Sequence, residues 1–326
     1  MRRMAPVVQG GDAPLFSGDS LPMPSTQDSP VVQLGKEGKM EVTNKYNLPY
    51  PFVKALTGDR RQPVEKRVGV TTLIKPPRMA ALERQNWDKT SVDASEMMYA
   101  LLGNAFHKII EDNSEGDPDL EAAELKLEGQ YFGWTVSGII DRISKSGVIT
   151  DWKTTSVWSA VYGNDGWEPQ LNVYAQLARD NGYDIRGLSI FSYFRDWNER
   201  RSFDGGSYPD HMWGSYDIPL WSEEKAKLYI QEQVTALEAA LDGENVLCSE
   251  EDRWATADTY AVMKPGAKRA TRVFDTEEQA KEYLYNNVGK GKVELRIGEK
   301  FKRCQRYCGA SAFCQQYQEG VRNESA

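Results

Sequence analysis

Asp141, Asp151 and Lys153 lie in the stretch GWTVSGIIDRISKSGVITDWKT. Apolar residues from Val136 to Ile140, and again at Val148 and Ile149, flank SKSG, a pattern that predicts two β-strands joined by a tight turn. Asp141 is expected to close the first strand. Asp151 and Lys153 are two apart in the second, so strand alternation turns both side chains to one face. Two carboxylates and an ammonium then converge at the ends of neighbouring strands. Paired carboxylates suit a hard divalent cation such as Mg²⁺, which takes oxygen ligands. A lysine beside such a cation can orient or deprotonate a water, or stabilise charge developing on a phosphate. A D-x-K triplet is also common on solvated hairpins, so the surroundings decide its meaning.

Two helices are expected to position these groups. SEMMYALLGNAFHKIIED, from Ser95 to Asp112, has helical periodicity, with Met98, Leu101, Leu102, Ala105, Phe106, Ile109 and Ile110 as its apolar stripe. His107 sits four residues after Gly103 and four before Glu111, so the three stack on one side of that helix. A glycine there permits close approach of another backbone. A second helix is expected over Pro169–Asp180, with Leu171, Val173, Tyr174, Leu177 and Ala178 inward; Gln170 and Tyr174 form an i, i+4 pair able to orient the lysine or touch a phosphate. Strands are expected at Val68–Ile74 (stopped by PPR), Leu125–Gln130, Trp134–Ile143, Val148–Lys153 and Leu188–Phe194, and a long helix at Ser222–Leu241. This order implies an α/β fold with a mixed central sheet flanked by helices. Farther on, strands at Tyr260–Met263 and Ala270–Phe274 surround a Lys-Pro-Gly turn, and a short helix follows near Glu277–Asn286.

The chain has 326 residues and a net charge of −8, which argues against indiscriminate coating of nucleic acid. Its charge is uneven. Between Lys264 and Arg306, twelve Lys or Arg stand against six Asp or Glu, a balance that fits either a phosphate-bearing partner engaged on one side or a solvated charged face. No run of 18 apolar residues is present, so no membrane span is expected, and the start of the chain does not read as a secretory signal. Residues 1–40, rich in Pro, Gly, Ser and Asp, read as a flexible tail. All four cysteines fall late: Cys248, then Cys304, Cys308 and Cys314 in a C-x3-C-x5-C cluster. Without a secretory signal a disulfide framework is disfavoured. Four thiolates suit a tetrahedral Zn²⁺ or a [4Fe-4S] cluster, and the spacing is not that of paired C-x2-C zinc ribbons.

Gly103-x3-His107, then GIID at Asp141, DWK at Asp151–Lys153 and Gln170-x3-Tyr174 together resemble the RecB-like branch of the PD-(D/E)XK nuclease superfamily. The four cysteines resemble its iron–sulfur members, most of all phage-encoded and CRISPR-associated RecB-like exonucleases. Ile140 stands where the family name has proline, and Cys248 lies downstream of the nuclease motifs, where many relatives place the first cysteine upstream.

The resemblance implies a restriction-endonuclease-like core over 41–246 and a basic C-terminal cysteine-cluster region over 247–326 packed on it. It implies Mg²⁺ or Mn²⁺ held by His107, Asp141, Asp151 and the carbonyl of Trp152. Lys153 would activate water, Gln170 and Tyr174 would support it, and Glu111 would be a further acidic group. Cys248, Cys304, Cys308 and Cys314 would hold the cluster as a C-terminal clasp. The expected activity is exonucleolytic hydrolysis of DNA, single strand or duplex end, in recombination, repair or replication, with a recombination protein as candidate partner and a cytoplasmic location (the host's, for a phage protein). The competing reading is a non-catalytic iron–sulfur DNA-binding or adaptor module of a recombination or integration complex.

Overall fold

The computed structural model describes residues 41–57 and 62–324, so the expected tail at 1–40 lies outside the described residues. Strand β1 (Glu41–Thr43) and helix α1 (Tyr50–Leu56) come first. Strand β2 (Arg67–Gly69) then runs straight into one helical turn, α2 (Val70–Leu73). The apolar run Val68–Ile74 is therefore not a single strand. Gly69 is the extended N-cap, and Val70 and Leu73, three apart, bury on one helix face. The prolines that follow begin a helix: Pro76 is the N-cap and Pro77 the first residue of α3 (Pro77–Gln85). A first-turn position suits proline, because its N–H would have no intrahelical partner and its φ is preset.

Strand β3 (Ser91–Asp93) pairs parallel with β1, and a 3-10 turn over Ala94–Met97 leads into α4 (Met98–Asp112). Strands β4 (Leu120–Tyr131), β5 (Trp134–Ser144) and β6 (Val148–Thr155) form an antiparallel meander. The β4–β5 turn is Phe132-Gly133, both with positive φ, as a type I′ hairpin requires. In the β5–β6 turn Gly147 has φ of 82°, and a Cβ there would stand 2.3 Å from the Asp184 carbonyl oxygen, so glycine is required. Helices α5 (Trp158–Tyr162) and α6 (Trp167–Asp180) cross over to β7 (Gly187–Phe194), parallel to β6. After α7 (Glu199–Ser202), β8 (Trp213–Ile218) pairs antiparallel with β7, and α8 (Glu223–Leu241) packs on α3 and α6.

The result is a mixed six-stranded sheet of order β2-β5-β6-β7-β8, with β4 on the other edge of β5. Every residue of α6 from Gln170 to Ala178 is buried, as expected of a helix enclosed between a sheet and a second helix. The inward residues expected on α6 are all in this core. The expected stripe of α4 behaves differently. No residue of α4 is buried, and Leu102 and Ile109 are exposed. Helix α4 packs against α1 and β6 at the rim of the sheet, and only Met98 and Leu101 lean on the small cluster of Val42, Val53, Leu56, Ala94 and Met97. A rim helix satisfies amphipathic periodicity without a core to fill.

The C-terminal part has its own antiparallel sheet. Strand β9 (Thr259–Met263) lies between β10 (Arg272–Phe274) and β11 (Lys292–Arg296), with α9 (Glu277–Tyr283) against it. Strand β10 begins two residues later than the sequence suggests. Helices α10 (Lys302–Arg306) and α11 (Gln315–Glu324) follow. Among the described residues no helix is long and apolar enough to cross a membrane.

Candidate active site

The site forms where the sheet forks. Strand β4 occupies one edge of β5 along nearly its whole length. The other edge pairs with β2 at Thr135–Ser137 and with β6 only at Arg142–Ile143, so Gly138–Asp141 has no strand partner there. Asp141 does not close β5, which runs on to Ser144; it stands where β6 leaves it. The Trp152 N–H donates to Asp141 Oδ2 at 2.7 Å, so a carboxylate replaces the next rung of the ladder. Strand β6 then keeps its pairing with β7 through Thr155. Helix α6 covers the gap closely: a Cβ on Gly138 would come 2.6 Å from Tyr174 Cε1.

The expected polar residues gather at this fork. Lys153 Nζ lies 2.5 Å from Asp151 Oδ2 and donates to Gln170 Oε1 at 3.2 Å. Gln170 Nε2 donates to Asp151 Oδ1 at 3.2 Å and to the Tyr174 hydroxyl at 3.3 Å. The buried Asp151 Oδ2 thus has the Lys153 ammonium as its ion-pair partner. Burial pushes the Asp151 carboxyl above the usual carboxylate range, against the opposing pull of Lys153. Burial likewise raises the Tyr174 phenol, which stays neutral. His107 on α4 places Nδ1 3.5 Å from Asp141 Oδ1, and hydrogen bonding to that carboxylate holds the imidazolium above its ordinary range. Trp152 is tied to the site through its N–H; its carbonyl, expected as a metal ligand, belongs to the residue between Asp151 and Lys153. Glu111 is exposed and paired with Lys108 at 3.1 Å, and it lies near enough to Glu124 to act on its charge.

One acidic residue was not anticipated. Ligand atoms of His107, Glu124 and Asp141 all lie within 4.8 Å of one another, and among the described residues this is the one group of three or more His, Cys, Asp or Glu that does so. Glu124 faces Asp141 across the β4–β5 ladder, between the pairs Ala123↔Arg142 and Leu125↔Ile140. Its φ is +45°, a left-handed conformation rare for a residue with a Cβ. The strand alternation changes phase here. On β5 Val136 and Ile140 face the core and then Ile143 does; on β4 Leu127 and Leu125 do and then Ala122. Burial, with Asp141 and Glu111 nearby, raises the Glu124 carboxyl above its usual range. Simple alternation along LEAAELKLE cannot reveal this. The signal available in the sequence was an acidic residue among apolar ones on the neighbouring strand.

The four cysteines also meet. Cys248, Cys304, Cys308 and Cys314 line one small enclosed cavity together with Arg78 and Arg253. Gln316 clamps the Cys248 backbone, accepting from its N–H at 2.9 Å and donating to its carbonyl at 2.8 Å. Arg78 of α3 donates to Cys314 Sγ at 3.4 Å and to the Val246 carbonyl at 3.0 Å. Burial, then Asp252 and the other three thiols, push Cys248 up to about 12, and burial raises Cys304 and Cys308. Thiolates here would need a cation to offset their mutual repulsion.

A family model described as the PD-(D/E)XK nuclease superfamily matches residues 73–315. The chain belongs to the PD-(D/E)XK nuclease superfamily. The match runs through the β5–β6 hairpin, α6 and the clustered cysteines, and it crosses the boundary expected at 246 and 247. Membership implies metal-dependent phosphodiester hydrolysis with DNA as substrate, and the mixed α/β sheet flanked by helices accords with the superfamily core. Among solved structures, that of SSO0001 is similar at 17% identity and a TM-score of 0.41, covering 56% of this chain and 83% of that one. No curated protein matches.

Proposed function

We propose that this PD-(D/E)XK nuclease is a Mg²⁺- or Mn²⁺-dependent exonuclease of the RecB-like branch that degrades DNA during recombination, repair or replication. The observation that carries the reading is the meeting of His107, Asp141, Asp151 and Lys153 at the fork between β5 and β6. The donor set fits a hard divalent cation: carboxylate oxygens of Glu124 and Asp141 and the His107 imidazole converge within 4.8 Å. When bound, such a cation supplies Lewis acidity at the phosphate and lowers the pKa of water. His107, Asp141, Asp151 and the Trp152 carbonyl are the residues that would hold it. Lys153, held between Asp151 and Gln170, would position or activate the attacking water and offset charge developing on the scissile phosphate. Gln170 fixes Lys153 and Asp151 relative to each other, and Tyr174 braces Gln170.

Features beside the fork suit a single strand or an end. Beyond the C-terminal ends of β6 and β7, Trp158 stacks on Tyr162, with ring centroids 5.6 Å apart, and Arg201 lies over Trp158. Arg195 lies 4.3 Å over the Tyr99 ring. A groove of 820 Å³ runs from Tyr162 and the start of α6 to Trp254, Lys302 and Arg303 in the C-terminal region. Exposed aromatics with nearby guanidinium groups accept unpaired bases and phosphates.

The clasp belongs to the same proposal. A zinc tetrahedron with Zn–S bonds of about 2.3 Å holds its sulfurs about 3.8 Å apart. No three of these thiols lie within 4.8 Å of one another. Four thiols around one cavity suit a [4Fe-4S] cluster, whose thiolates each bind a different iron, with a single Zn²⁺ as the alternative.

The test is digestion of 5′- and 3′-end-labelled linear oligonucleotides and of closed circular single strands with Mg²⁺ or Mn²⁺. Wild type should shorten linear DNA from one end and spare circles; Asp151→Ala and Lys153→Ala should lower the rate at least about a thousandfold. Equal, negligible cleavage by wild type and Lys153→Ala would favour the adaptor reading instead. Cutting of circles would overturn the exonuclease assignment.

A further inference from the structure

We propose that Glu124 is a ligand of the catalytic divalent cation, forming with His107 and Asp141 Oδ1 a coordination position that the D…D-x-K pattern lacks. This rests on the nuclease reading above. Three donor atoms within 4.8 Å are nearly close enough for one hard cation, whose opposed oxygen ligands stand about 4 Å apart. Only a small closure is needed. Glu124, Asp141 and Asp151 stand on three neighbouring strands, with Asp141 in the middle. The positive charge is unevenly shared among them. Lys153 serves Asp151, while among the described residues no hydrogen bond or ion pair reaches the Glu124 carboxylate. Lys108 is spent on Glu111 and Asp112. Asp141 divides its oxygens accordingly: Oδ2 takes the Trp152 N–H on the β6 side, and Oδ1 faces His107.

The backbone supplies an independent argument. A glutamate with φ of +45° inside a long strand is strained, and it persists only where surrounding structure or function over-determines it. Glycine would relieve the strain and leave the β4–β5 ladder intact. A purely structural residue and a ligand therefore respond differently to substitution.

The experiment uses the full chain, stripped of divalent cations, with Glu124→Gln and Glu124→Gly as variants. Mn²⁺ binding is measured by titration calorimetry, and Tm is measured with and without Mn²⁺. Both variants should bind Mn²⁺ at least about tenfold more weakly. The Mn²⁺-induced rise in Tm should shrink in both. The metal-free Tm should not fall in Glu124→Gly. Wild-type affinity and an unchanged Mn²⁺-induced rise in either variant would overturn the ligand assignment, while a wild type that still cleaves DNA would leave the nuclease reading standing. A wild type that neither binds Mn²⁺ nor cleaves DNA would overturn both.

Discussion

Gln170 is the pivot of the polar site. Its amide oxygen receives Lys153 and its amide nitrogen serves Asp151 and Tyr174, a division of labour that only a side-chain amide can make. Gln170→Glu keeps the acceptor but loses the donor and sets a second negative charge beside buried Asp151. Gln170→Ala loses both and leaves Asp151 Oδ1 without its N–H. Each should lower kcat about a hundredfold with little change in KM, because the groups that misalign act on the reacting centre and not on remote binding. Steady-state kinetics on an end-labelled strand reads this directly, and a change confined to KM would move Gln170 from the chemistry to substrate binding. The Gln-x3-Tyr spacing was legible because i, i+4 on a helix fixes adjacency before any fold is known. Glu124 was not legible, because one left-handed residue resets the face to which a strand's side chains point, and no period along the chain reports that.

The elements that carry these residues differ in how far their sequence determines them. Strands β4, β5, β6 and β7 and helices α6 and α8 follow from apolar periodicity and turn chemistry, since each packs on a core that demands its pattern. Helix α4, which carries His107, has no such core, and its placement depends on its N-terminal approach. Asp93 secures that approach. Its carboxylate accepts from the Lys45 N–H, the Thr43 hydroxyl, and the Ser95 N–H and hydroxyl, tying β1 and β3 to the turn before α4. Burial alone would raise its pKa, but these four hydrogen bonds outweigh it and hold the carboxyl down to about 2. A folded pKa below the unfolded one contributes stability above the unfolded value of 3.8 and loses it as pH falls toward about 2. Asp93→Ala should therefore cost about 2 kcal/mol at neutral pH, within the range for a lost helix cap. The stability difference from wild type should close as denaturant titrations are repeated from pH 4 downward. A difference that stays constant to pH 2 would show that Asp93 acts by packing and not by its charge.

Across the whole molecule, the four cysteines gather around one cavity where the core meets the end of the chain. Cys248 follows α8, the other three cysteines lie beyond β11, and Arg78 of α3 reaches both Cys314 and the Val246 carbonyl. The cavity therefore gathers the end of the core, the end of the chain and a core helix around one point. A cluster there would act as a staple, because binding free energy gained only in the folded state is folding free energy. The basic span that the sequence offered as a guide for DNA partly neutralises itself: Lys281, Lys292, Lys300 and Arg306 each pair with a carboxylate of the same region. Cysteine count alone pointed to metal, but the meeting of the late cluster with Cys248 depends on how the chain returns past α3, which no local pattern encodes. Cys314→Ser, purified anaerobically beside wild type, should lose iron and the broad absorption near ~400 nm that thiolate-bound iron gives. Its Tm should fall by several degrees. Hydrogen exchange should quicken over 300–324 and around Cys248 while β4–β7 stay protected, because the core sheet is packed independently of the clasp. If exchange quickens equally in β5 and β6, the clasp is part of the core's cooperative unit and not a staple upon it. If iron, Tm and exchange all match wild type, the four thiols hold no cluster.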